Sequence, residues 1–89
     1  MARLLQMTGD MDAAAMKAQR GVCEDMANSD EDVAVDMSKV GFVDSSGVGA
    51  IVFMYKRLMA NGHSLQLTGV KGQPLQLLTY LKLQDLIVR

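Results

Sequence analysis

The 89-residue chain has one cysteine, one histidine, one proline and no tryptophan. A lone Cys23 excludes an internal disulfide and fits a reducing compartment, so the cytoplasm is the expected location. One His63 and one Cys23 fall short of the three or four side chains that hold a zinc ion. Only Phe42, Phe53, Tyr55 and Tyr80 are aromatic, too few for a base-stacking platform. Nine basic residues stand against 10 acidic ones, a net charge of −1, and this leaves no basic footprint for direct contact with nucleic acid. No apolar run approaches the roughly 20 residues of a membrane-spanning helix. The N-terminus lacks the charged and apolar regions of a signal peptide. No cofactor is implied and no direct membrane insertion is expected.

What is present is an ordinary globular balance, 49% hydrophobic against 21% charged. Residues 1–89 are expected to form one domain. A chain of this size buries about 60–65% of its unfolded surface, enough for one modest core. Eight methionines suggest an adaptable core or contact surface. Arg3 to Thr8 reads as a short strand and Gly9-Asp10 as a turn. Asp12 suits the N-cap of one helix running to about Ala27. Met11, Ala15, Ala18, Val22 and Met26 form its apolar stripe, with Cys23 beside it as a small buried hydrophobe. Asn28 to Asp32 is a solvated acidic loop. Val33, Val35 and Met37 alternate with polar or small residues and predict a strand, which Val40, Phe42 and Val43 extend after a kink at Lys39.

Asp44 to Gly49 (DSSGVG) is small and polar, and a helix follows. Ser45 suits the N-cap of that helix, where its oxygen could accept from a first-turn amide. Gly47 and Gly49 each cost about 1 kcal/mol against alanine in a helix. Their presence predicts a close approach to the backbone, by a neighbouring strand or by a partner protein. Val48, Ile51, Val52, Tyr55, Leu58 and Met59 share the predicted core face. Phe53 lies off that face, either packed on a neighbouring helix or offered as a partner contact. Asn61-Gly62 ends the helix, since glycine accepts the left-handed conformation. His63 is an ordinary loop residue. Leu65 and Leu67 mark another strand, and Gly69 to Gln73 a loop. Pro74 suits the first position of a last helix with Leu75, Leu78 and Leu81 inward and Leu77 flanking. Leu86 to Val88 can form a final short strand. The alternation predicts an α/β fold with about four strands in a largely parallel sheet and about three crossover helices.

The inventory argues against an enzyme. Ser45 has an acid beside it but no His or Lys in the motif to act as base. Gly47-x-Gly49 is too short for a dinucleotide fingerprint, and the lysine of a phosphate-binding loop is missing.

Asp44-Ser45-Ser46-Gly47-Val48-Gly49, set between an apolar strand and an amphipathic helix, resembles the signature of STAS domains, in particular of bacterial anti-sigma factor antagonists. Leu4 to Asp12, Val33 to Ser38, Gly62 to Val70 and Leu75 to Val88 are similar to the family's other elements. The resemblance implies a small curved sheet, mostly parallel or mixed. It implies a phosphoacceptor at Ser45. Asp44, Ser46, Gly47 and Gly49 at the helix mouth, and Phe53 off the core face of the helix, are the expected partner surface. It implies a GHKL-type anti-sigma factor and serine kinase as partner, bound while Ser45 is unmodified, and a phosphatase that restores the serine. Modification would add ≈ −1.5 to −2 charges at the mouth of a helix, which tolerates an anion. A second class stays open: an accessory subunit of a lipid-transporting ABC system, clamping its ATPase without a phosphate cycle. Antagonists usually carry one more strand before the first strand here. The strand at Leu4 to Met7 is therefore expected to be an open edge, prone to pair with a second copy as a homodimer.

Overall fold

The computed structural model describes residues 2–88. The elements are β1 (Arg3–Thr8), α1 (Ala13–Ala18), α2 (Arg20–Ala27), β2 (Val33–Lys39), α3 (Ser45–Ala60), β3 (Leu65–Thr68) and α4 (Gly72–Tyr80), followed by a 3-10 turn at Gln84–Leu86. The three strands form one sheet in the order β1-β2-β3, and both pairings are parallel. Strand alternation puts Met7, Val33, Val35, Met37, Leu65 and Leu67 into the core. The other face carries Leu4, Gln6, Ala34, Asp36, Gln66 and Thr68, aligned across the strands in register. Leu4 on that face is 67% exposed. Helix α2 is tied to the edge strand β1 by an ion pair of 2.8 Å between Arg3 and Asp25.

The expected α/β alternation is present. Helix α4 starts at Gly72 rather than Pro74, and of its expected inner face Leu78 is buried while Leu75 and Leu81 are exposed. There are four further differences. First, the helix predicted from Asp12 to Ala27 is two helices. Asp12 caps α1 as expected, accepting from the Ala15 amide at 2.9 Å. The chain then breaks at Gln19, whose amide closes α1 on Ala15 and Lys17. Gly21 follows two residues on, and a glycine there weakens propagation through the break. The buried positions of α2 are Cys23 and Ala27, while Val22 is 39% exposed. Burial raises the Cys23 thiol above its ordinary value, so it remains protonated at neutral pH.

Second, β2 ends at Lys39. Val40 and Val43 are buried beyond it, but Phe42 turns outward and is 42% exposed. Third, α3 buries Gly47, Ile51, Met54 and Leu58. This stripe is rotated from the expected one, so Met54 enters the core and Met59 stays exposed. Fourth, the last strand is reduced to one parallel bridge, Leu67 to Ile87, with the Val88 amide on the Leu67 carbonyl at 2.8 Å. Lys82, at φ 63°, turns the chain after α4, and the 3-10 turn consumes the residues that a longer strand would need.

The end of α3 follows the sequence closely. Gly62 takes φ 79°, its amide bonds Met59 and the His63 amide bonds Leu58 at 2.8 Å. These are the two bonds of a Schellman cap. His63 sits 3.6 Å from the Asp32 carboxylate, in the loop where it was expected.

Candidate functional site

The mouth of α3 is built as a continuation of the sheet. Past the end of β2, Val43 forms a parallel bridge with Met11, just past β1. The Met11 amide donates to the Phe42 carbonyl at 2.8 Å, and the Asp44 amide donates to the Met11 carbonyl at 3.2 Å. The amide and carbonyl of Val43 itself point the opposite way. There the side chain of Gln73 meets both: its Oε1 accepts from the Val43 amide at 2.8 Å, and its Nε2 donates to the Val43 carbonyl at 2.9 Å. Residues 42–44 are thus held on both flanks, as a central strand would be.

Asp44, not Ser45, is the N-cap. Its backbone is extended, and its Oδ1 accepts from the Ser46 amide at 2.8 Å and the Gly47 amide at 3.2 Å. Its carbonyl takes the Val48 amide, the first bond of the helix. Aspartate caps as well as serine does and adds a negative charge at the positive end of the helix. Ser45 is displaced to the first helical position. Its hydroxyl is freed from capping and its side chain is exposed, while Ser46 is half-buried.

Gly47 is buried because the Met11 loop crosses it. A Cβ there would lie 2.5 Å from the Met11 carbonyl oxygen and 2.8 Å from Val43 Cγ1. The close approach expected at this glycine is therefore made by the protein's own β1–α1 connection. Gly49 differs, with nothing within 4 Å of an added Cβ, and it lies exposed on α3. Phe53 stands between α3 and the first two helices, 38% exposed. Its ring lines a small groove of about 180 Å³ with Met16, Cys23 and Ala50, and the Arg57 guanidinium carbon lies 5.3 Å from the ring centroid. One side of the ring is packed in the groove and the other is open.

Two features of this site were not legible in the sequence. Gln73 sat in an apparent loop, 30 residues from the peptide it holds. Phe42 read as a strand residue because its neighbours are apolar, yet it is an exposed aromatic close to Ser45 in the chain. Among the described residues no group of three His, Cys, Asp or Glu side chains is placed to hold a metal. No helix among them is long and apolar enough to cross a membrane.

The family profile described as "Mlab, STAS domain" matches residues 2–89. The chain belongs to the STAS domain family. As a STAS domain it is similar in structure to the anti-sigma factor antagonist SpoIIAA in its unphosphorylated form, with a TM-score of 0.80 and 16% identity, over 96% of this chain and 76% of that one. It is similar also to a sulfate transporter family protein from Wolinella succinogenes, with a TM-score of 0.79 and 15% identity, over 97% of this chain and 75% of that one. At such identities the likeness concerns the fold. No curated protein matches this STAS domain.

Proposed function

We propose that this STAS domain is a regulatory binding protein of the anti-sigma factor antagonist kind, switched by phosphorylation at Ser45. The observation that carries this reading is the division of labour at the helix mouth: Asp44 caps α3, and Ser45 projects an exposed hydroxyl beside it. A kinase can reach such a hydroxyl without opening the helix. The partner is a GHKL-type serine kinase that acts as an anti-sigma factor, held while Ser45 is unmodified and released on phosphorylation. A phosphatase resets the serine. The contact surface comprises Asp44, Ser45, Ser46, Gly49 and Phe53, with buried Gly47 seating the helix beneath it. The domain acts by binding and carries out no chemistry of its own.

Phosphate on Ser45 would set ≈ −1.5 to −2 charges beside the Asp44 carboxylate. A partner seated over the mouth would then enclose a poorly compensated anion, at a cost of several kcal/mol. Since about 1.4 kcal/mol is tenfold in affinity, this suffices to turn a nanomolar complex into a micromolar one. The test is to incubate the protein with its cognate GHKL-type kinase and ATP, and to map the phosphate by mass spectrometry. Phosphate on Ser45 is expected. Phosphate confined to Ser46 would refute the assignment.

A second reading is supported by the family description and by the transporter-family structure of the same fold. In it the domain is an accessory subunit that clamps the ATPase of a lipid-transporting ABC system. No phosphate on any serine, together with a stable complex with such an ATPase, would favour that reading.

A further inference from the structure

We infer that Gln73 is the positioning residue of the Ser45 site. Strand β3 stops at Thr68, and among the described residues no strand pairs with Val43 on the side away from Met11. The Gln73 carboxamide fills that place. Its oxygen takes the Val43 amide and its NH₂ gives to the Val43 carbonyl, at 2.8 and 2.9 Å, which reproduces with one side chain the two bonds of a neighbouring strand. A carboxamide donates and accepts in this way in one plane at any pH, whereas a carboxyl can do so only when protonated. Asparagine is one methylene shorter and falls back from the peptide.

The geometry around Gln73 is committed to this contact. Gly72 takes φ 61°, a left-handed turn that starts α4 and delivers Gln73 from its first turn. Gly69, at φ 67°, brings the same connection to within 2.9 Å of Ser38 Cβ for any added Cβ, so the loop is pressed onto the end of β2. The next residue after Val43 is the cap Asp44, whose carboxylate fixes the Ser46 and Gly47 amides. Fixing the Val43 peptide therefore fixes the direction in which Asp44 and Ser45 leave the sheet. The inference that this matters for phosphorylation rests on the switch reading, whereas the clamp itself does not.

The test uses the full chain and two variants, Gln73→Leu and Gln73→Glu, followed by amide hydrogen exchange. In Gln73→Leu the Val43 amide should exchange at least about tenfold faster, as expected for a part-buried donor left without an acceptor. The cap amides of Ser46 and Gly47 should speed up with it, while Val35 and Leu67 in the sheet should not. In Gln73→Glu the ionised carboxylate can accept from the Val43 amide but faces the Val43 carbonyl with no donor. A protonated carboxyl restores the donor. The carboxyl pKa is therefore raised in the folded state, so its stabilising effect is present at low pH and is lost as pH rises through that value. Cap-amide protection in this variant, compared with wild type at the same pH so that the shared response of the Asp44 carboxyl cancels, should follow that titration, which a residue that only fills space would not produce. Faster exchange at Val43 alone, with Ser46 and Gly47 unchanged at every pH, would overturn the inference. If the clamp behaves as expected, the kinase should modify Gln73→Leu with a raised KM and little change in kcat. Unmodified wild-type protein would instead count against the switch reading and leave the exchange result to decide the clamp.

Discussion

Alanine at Gly47 and alanine at Gly49 should change stability in opposite directions, although the two positions are only two residues apart on the same helix. Each substitution removes a poor helix former and should gain about 0.5–1 kcal/mol from that alone. At Gly49 nothing stands within 4 Å of the new methyl group, so the gain is kept. At Gly47 the methyl would lie 2.5 Å from the Met11 carbonyl oxygen, 2.8 Å from Met11 Cβ and 2.8 Å from Val43 Cγ1. Backbone must move. Overpacking of this kind costs about 1–3 kcal/mol. The displaced oxygen is also the acceptor for the Asp44 amide, and loss of that bond adds about 1 kcal/mol. The net expectation is a loss of about 1–3 kcal/mol for Gly47→Ala and a gain of up to about 1 kcal/mol for Gly49→Ala. Urea unfolding of the three proteins with a common m-value measures both. A Gly47→Ala variant as stable as Gly49→Ala would mean that the Met11 loop does not press on α3, and the account of the helix mouth would fail with it.

Asp44→Ala should cost about 0.5–2 kcal/mol through loss of the cap, whereas Ser45→Ala should stay within about 0.5 kcal/mol of wild type by the same unfolding assay. Under the switch reading, binding titrations should show Ser45→Ala holding the kinase partner constitutively and Ser45→Asp holding it weakly, with both variants folded by circular dichroism; equal affinities would end the reading. Phe53→Ala should weaken that partner complex by on the order of 1–3 kcal/mol while costing less stability than the 3–5 kcal/mol of a core phenylalanine, because the ring is partly open. Strand β1 is an edge of the sheet, so light scattering across a concentration series should show self-association, and a strict monomer at high micromolar concentration would show the edge to be closed to pairing.

The sheet was legible because burial on one face writes a period of two into Val33, Val35 and Met37 and into Leu65 and Leu67, and nothing competes with that signal. The end of α3 was legible because Gly62 has a local reason to be glycine. Misreadings came where two local signals had similar strength or where the deciding contact was remote. Apolar spacing carried the first helix through Gln19, since Ala18 and Val22 continue the stripe, and nothing local shows that Cys23 and Ala27 take the core. Asp44 and Ser45 are both good caps, and the choice between them depends on where Met11 and Gln73 hold Val43. The orientation of α3 follows from Gly47 seating on the Met11 loop, a contact across 36 residues of chain that no periodicity reports.

The placement of the cap on Asp44 changes what a phosphate at Ser45 would meet. Had Ser45 been the cap, modification would have removed the cap oxygen and offered the first-turn amides to the phosphate in exchange. With Asp44 as cap, the Ser46 and Gly47 amides are already taken by a carboxylate. A phosphate on Ser45 therefore cannot withdraw into the helix mouth without displacing Asp44, and two like charges compete for one set of donors. The helix keeps its cap in either state, so modification need not unfold the first turn. The added charge is left facing outward, where a partner must desolvate it. A switch built this way acts through the electrostatics of its interface rather than through a change of fold, and its sensitivity depends on how firmly Asp44 is held against the helix.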